Sequence, residues 1–165
     1  MAVNISTIQL QHQNFVQTVG DILQETGLDP KWLELEVTES ILMENSETLK
    51  DSLYRLKAIG VSISIDDFGT GYTSLSYLRQ FSFDRVKIDR SFINDISSDL
   101  NGKAITSTII SLAHKLKMGV IAEGIEDDVQ LSFLKDEFCD EGQGYHFSKP
   151  LPAELHHLLK APERD

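Results

Sequence analysis

The chain has 165 residues, 41% of them hydrophobic, and its 15 basic and 26 acidic side chains leave a net charge of −11. That length suits one domain or part of one, and the acidic balance excludes the basic stripes that hold nucleic-acid polymers while allowing a small anionic ligand escorted by divalent cations. A single cysteine, Cys139, excludes an internal disulfide and reads as an inert, partly buried thiol; with no signal-like start and no apolar run of membrane-spanning length, the chain is expected to be cytoplasmic, with no membrane segment.

Strands and helices then alternate. "MAVNIS" reads as a short strand. In "HQNFVQTVGDILQETG", Phe15, Val19, Ile22 and Leu23 recur at helical spacing and Gly27 is placed to end the helix. "WLELEV" predicts a second strand, with Trp32 assigned to the core. "SETLKDSLYRLKAIG" is a helix with Leu49, Leu53 and Leu56 on one stripe and Gly60 as its stop. "VSISID" is the third strand, closed by Asp66, and Asp67 opens a loop loosened by Gly69 and Gly71. A short helix over residues 74–79 leads to the strand "DRVKID", the helix "KAITSTIISLAHKLK", the strand "GVIAE" and the helix "DDVQLSFLKDEF". "GQGYHF" is the sixth strand, and "PAELHHLLK" a closing helix with Pro152 near its start. Units of roughly 20–36 residues fit repeated βα units around a parallel sheet.

Six strands suit either an open doubly wound sheet or most of a (β/α)8 barrel. The polar residues choose between them. Asn4, Glu36, Asp66 with Asp67, Lys87 with Asp89, Glu123 and Gln143 stand at the ends of six successive strands. An open sheet concentrates its ligand residues at one switch point, whereas a barrel collects them from many strand ends on its C-terminal face. The pattern therefore indicates an α/β barrel of the TIM type, short by about two βα units. Any one of these residues alone is more simply a helix cap or a solvated loop residue; six in succession are not. Asn, Asp and Glu are hard oxygen donors suited to Mg²⁺, Mn²⁺ or Ca²⁺ rather than zinc. So many carboxylates on one rim repel each other unless cations lie among them. Two such ions about 3.5–4 Å apart suit phosphodiester hydrolysis, with Lys87 orienting the attacking water or stabilising the phosphate charge.

The motifs "ELEVTES", "DDFGTGYTSL", "VKIDRSFI", "VIAEGIE" and "QGYHFSKPL" resemble, in order, those of EAL domains, and "AVNIS" is similar to that family's Asn-Leu-Ser strand with Ile for Leu. The resemblance runs along essentially the whole chain. It implies a cyclic di-GMP phosphodiesterase of bacterial signalling, which forms linear pGpG with two Mg²⁺ or Mn²⁺ ions, is inhibited by Ca²⁺, and is built on a (β/α)8 barrel with one antiparallel strand. By the same resemblance Asn4, Glu36, Asp66, Asp67 and Glu123 are metal ligands, Asp67 serving the second ion. Lys87, Glu123 and Asp67 are the catalytic residues, Lys87 holding the water. Glu39 anchors the loop after the aspartate pair, and Asp89, Glu126 and Gln143 surround the site. The loop of Phe68, Gly69, Thr70, Gly71 and Tyr72, with the helix after it, is the implied homodimer contact.

One departure stands out. The Glu-Ala-Leu segment, which in the family lies ahead of the Asn strand and supplies a metal-binding glutamate, is absent. The chain is thus expected to be a single partial EAL domain, residues 1–165, with about six of eight βα units and the first two strands missing. One ion should then be weakly held and phosphodiesterase activity low or nil. The alternative is a degenerate EAL domain that binds the dinucleotide or a protein without cleavage; that every motif present is intact favours recent loss of, or separation from, the N-terminal part. His146, His156 and His157 read as surface or packing residues. Unpaired edges at residues 2–5 and 144–147 should make the isolated chain marginal or oligomeric. Light scattering on dilution checks this, and a stable monomer would refute it.

Overall fold

The computed structural model describes residues 1–165 except 44–45, 72–77, 79–80, 82, 98, 153 and 155–165. Its strands are β1 Ala2–Asn4, β2 Glu34–Thr38, β3 Ser62–Phe68, β4 Arg85–Ile88, β5 Gly119–Glu123 and β6 Glu141–Gln143. They lie in chain order in one sheet, and all five pairings are parallel. A sheet without reversal of strand order has no switch point, so the doubly wound alternative is excluded and the architecture is a half-barrel with helices outside. Parallel order also puts every strand's C-terminal end on one face. No strand among the described residues is antiparallel.

The outer layer comprises α1 Thr7–Gln11, α2 Phe15–Thr26, α3 Glu47–Ile59, α4 Arg90–Asp95, α5 Leu100–Lys115 and α6 Asp128–Asp136. On α2 the buried stripe is Val16, Val19 and Leu23; Ile22, expected there, is exposed. On α3 Leu49, Leu53 and Leu56 are buried as expected. Gly27 and Gly60 end these helices in the left-handed region, at φ 69° and 104°, where a side chain is strained. The apolar strand residues Leu35, Val37, Ile63, Ile65, Val86, Ile88, Val120 and Ala122 are buried, and their alternating neighbours, polar except at Gly119 and Ile121, take the other face. Every residue of β1 and β6 is exposed, so the arc has two open edges. No helix among the described residues is long and apolar enough to cross a membrane.

Three expectations are corrected. Trp32 is 62% exposed, on a 3₁₀ turn at Pro30–Trp32 capped by Asp29; Leu33 takes the core position, and the Lys31 ammonium lies 5.6 Å from the indole ring. The last strand is shifted: β6 covers Glu141–Gln143, and 144–147 form a turn in which the Phe147 and Ser148 amides both donate to the Gly144 carbonyl. β3 does not stop at Asp66 but continues through Phe68. The helix expected at 74–79, apart from Leu78, and His156 and His157 in the closing helix lie outside the described residues.

The turn after β6 depends on a missing side chain. A Cβ on Gly144 would lie 2.1 Å from the Ile125 carbonyl oxygen and 2.2 Å from its nitrogen. Gly144→Ala should therefore displace the turn that follows Gln143 and cost about 1–3 kcal/mol. Urea unfolding reads the cost, and an unchanged midpoint would show that the crossing is not tight.

Candidate active site

The C-terminal ends of the strands converge on Lys87. This β4 side chain points into the arc, and the residue is only 5% exposed. Its Nζ lies 2.7 Å from Glu123 Oε1 on β5, 2.9 Å from Glu36 Oε1 on β2 and 3.1 Å from Asp66 Oδ1 on β3. Burial alone would pull the Lys87 pKa down. Hydrogen bonds to the three carboxylates outweigh that and hold it above the ordinary lysine value. The ammonium therefore stays charged through the neutral range and acts as a donor, not a base. Glu123 is held above the usual carboxylate range, first by burial and then by the negative charges of Asp66 and Glu36, against the opposing pull of Lys87. Gln143 Nε2 on β6 donates to the same Glu123 Oε1 at 2.6 Å, so one oxygen is fixed from two sides.

Asp66 and Asp67 share the rim because β3 carries a bulge. Ile65 pairs with Val86 and Phe68 with Ile88, so three steps on β3 oppose two on β4. The extra residue turns the chain: Asp67 has φ 54°, a conformation that Asp tolerates better than most residues. As a result Asp66, Asp67 and Glu123 each offer an oxygen within 4.8 Å of one another. Burial, then the charges of Asp66 and Asp89, hold the Asp67 carboxyl above its usual range.

The following loop is tied to Glu39. Its Oε2 accepts from the Gly69 amide at 2.8 Å and from the Gly71 amide at 3.1 Å, and Thr70 Oγ1 donates to the Asp67 carbonyl at 2.8 Å. Both glycines sit at close approaches. Gly69 has φ 98° and a Cβ there would meet Phe92 at 2.8 Å, while a Cβ on Gly71 would press on the Glu39 carboxylate at 3.1 Å. Phe68 packs in the core, Thr70 is exposed, and Tyr72 lies outside the described residues.

The remaining expected residues are spread around this centre. Asn4, on the exposed edge strand β1, is in register with Glu36. Asp89 caps α4, accepting from the Ser91 amide at 2.9 Å. Burial raises its pKa, but the Ser91 hydrogen bonds and the Arg90 charge outweigh it and leave the carboxyl below its usual range. Glu126 lines a cavity of about 500 Å³ that also borders Glu123 and Gln143. The sequence reading missed Arg90, Tyr145 and Lys149, which line the same cavity; their only signal was proximity to "KID" and "QGY". The donor set fits hard divalent cations, with clustered carboxylate oxygens and neither sulfur nor imidazole. His146 instead packs edge-on against Phe147, and the half-buried Cys139 thiol is pushed up by burial to about 11.

Comparison with known proteins agrees with this geometry. The EAL domain profile matches residues 1–150. The cyclic di-GMP phosphodiesterase NbdA of Pseudomonas aeruginosa is 47% identical over 162 residues, which are 98% of this chain and 21% of that protein. The solved complex of the PaMucR phosphodiesterase with c-di-GMP superposes with a TM-score of 0.88 at 43% identity, covering 93% of this chain and 62% of that one. The manganese and cyclic di-GMP complex of Klebsiella pneumoniae BlrP1 gives a TM-score of 0.82 at 31% identity, covering 90% of this chain and 38% of that one. The chain spans about a fifth of the length of the curated relatives it matches.

Replacing Lys87 by Met would leave Glu36, Asp66 and Glu123 together without their ammonium. Unfolding free energy at pH 7 should fall by about 3–5 kcal/mol. A carboxyl whose folded pKa is raised contributes stability at low pH that is lost as pH rises through that pKa. Glu123 is such a group, and removing Lys87, which pulls its pKa down, raises it further, so the deficit of Lys87→Met should shrink on acidification. Urea titrations at pH 7 and at about pH 5 check the sign; an equal deficit at both would contradict it.

Proposed function

Because the chain belongs to the EAL-domain family, we propose that its six-strand arc carries a cyclic di-GMP phosphodiesterase site that forms linear pGpG. The observation that supports this best is the Asp66, Asp67 and Glu123 oxygen cluster gathered beside the Lys87 ammonium. Two Mg²⁺ or Mn²⁺ ions, held by Asn4, Glu36, Asp66, Asp67 and Glu123, would supply neutralisation of the phosphodiester charge and a water of lowered pKa. The protein's own groups have separable tasks. Lys87 donates hydrogen bonds and orients the attacking water or a phosphate oxygen. Gln143 fixes the Glu123 carboxylate, and Glu39 keeps the 69–71 loop in the shape that holds Asp67 on the rim.

The neighbouring cavity suits the ligand. Arg90 and Lys149 offer positive charge in a chain of net −11, and the exposed Tyr145 offers a ring face for a base. The exposed loop tip at Thr70 and Gly71 is proposed as part of a homodimer contact.

Incubation with cyclic di-GMP and Mn²⁺ or Mg²⁺, followed by chromatography for pGpG, tests the reading. Weak turnover is expected from this chain alone, suppressed by Ca²⁺, and reduced about 100-fold in Asp66→Asn. Turnover unaffected by that substitution would overturn the assignment. Calorimetric binding of the dinucleotide with no turnover in either metal would favour the regulatory-module reading instead.

A further inference from the structure

A second tier of charges lies below the Lys87 cluster. Arg85 Nη1 is 2.5 Å from Glu34 Oε2 on β2, and Arg85 Nη2 is 3.3 Å from Glu141 Oε1 on β6. Each of these residues stands two positions before a residue of the candidate site on the same strand: Glu34 before Glu36, Arg85 before Lys87, Glu141 before Gln143. Residues two apart share a face and are separated by about 6–7 Å. The lower tier therefore sits directly beneath the upper one inside the arc.

The guanidinium spans the arc rather than a single ladder. β3 separates β2 from β4, and β5 separates β4 from β6. Arg85 reaches past both, and the strands it crosses keep small residues at that level. Ser64 and Gly119 are its register partners, and a Cβ on Gly119 would meet Arg85 Cγ at 3.4 Å. Backbone hydrogen bonds join neighbouring strands only, so they leave the chord from β2 to β6 soft, and the Arg85 fork fixes it. That chord decides whether Glu36 from β2 and Glu123, held by Gln143 from β6, reach the same ammonium. The other Glu34 oxygen, Oε1, is buried with no hydrogen-bond partner, and so is Ser64 Oγ. Glu34 is thus committed to Arg85.

We propose that Arg85, braced by Glu34 and Glu141, is a positioning residue that sets the spacing of the carboxylates around Lys87. The consequence for cation affinity rests on the function proposed above; the spacing itself does not. A lysine would not replace it, because one point charge cannot hold two carboxylates in the fixed geometry of a fork.

The test uses the full chain in four forms: unaltered, Arg85→Met, Arg85→Lys and Glu141→Gln. Two readouts are combined with thermal melting. The first is the ¹H–¹⁵N signal of the Lys87 ammonium without metal; the second is Mn²⁺ affinity from the electron paramagnetic resonance of the free ion. Arg85→Met should shift and broaden the ammonium signal and weaken Mn²⁺ binding about tenfold, with Arg85→Lys in between. Glu141→Gln alters only a half-exposed carboxylate, so it reports even if Arg85→Met fails to fold, and it should move the same signal. A lowered melting temperature with an unchanged ammonium signal and unchanged Mn²⁺ affinity would overturn the proposal, leaving a merely structural ion cluster. Absence of Mn²⁺ binding by the unaltered chain would sink the cation reading, and the ammonium signal would still decide the positioning.

Discussion

The structure depends on one buried ammonium. Lys87 draws carboxylates from β2, β3 and β5 to within 3.1 Å of a single nitrogen. Each of these charges would be costly to bury alone, and none is tolerable without the others. The cluster is therefore a structural joint, and it is the site to which the proposed function assigns the chemistry. It draws the strand ends toward one point, and it stores negative charge where a polyvalent cation could compete with the ammonium for the same oxygens. On the proposed function stability and chemistry share their atoms, so a change at Lys87 should alter both.

The bulge in β3 is the second constraint. In a regular strand Asp66 and Asp67 would face opposite sides, one toward the interior and one toward the helices. One extra residue and a positive φ at Asp67 bring both to the rim. That conformation would not persist without support, and Glu39 supplies it by accepting two loop amides. The chain from Glu39 through Gly69 and Gly71 to Asp67 is one mechanical unit, in which Gly69 combines a positive φ with a close approach and Gly71 lies tight against the Glu39 carboxylate.

Much of this was legible in the sequence because it is periodic or punctuated. Alternating strand and helix periods gave the parallel α/β class, and the strand-end polar residues gave both the rim and the choice of a barrel over an open sheet. What was missed has physical causes. α1 and α4 are five and six residues long, too short for an apolar stripe to repeat. Trp32 is an aromatic residue next to a strand, which usually means core, but the preceding Asp29–Pro30 forms a capped turn that swings it outward. "GQGYHF" has strand composition, yet the approach of Gly144 to the Ile125 backbone ends the ladder at Gln143. The Arg85 fork was invisible because it joins residues 51 and 56 positions apart, on strands whose register only the folded sheet defines.

The charge balance of the rim connects these features to a ligand. In their ionised forms Glu36, Asp66, Asp67 and Glu123 set four negative charges against the one positive charge of Lys87. One divalent cation falls short of cancelling the excess, and two exceed it by a single charge. On the proposed function, a rim so balanced would repel a free dianion before cations are present and admit one afterwards, with Arg90 and Lys149 in the adjoining cavity adding positive charge. The raised pKa values of Asp67 and Glu123 come first from burial, and the neighbouring carboxylates add to it from the protein's side. The acidity of the whole chain, which argues against a polymeric nucleic acid, is therefore compatible with a small cyclic dinucleotide, because the charge that matters to the ligand is the local one.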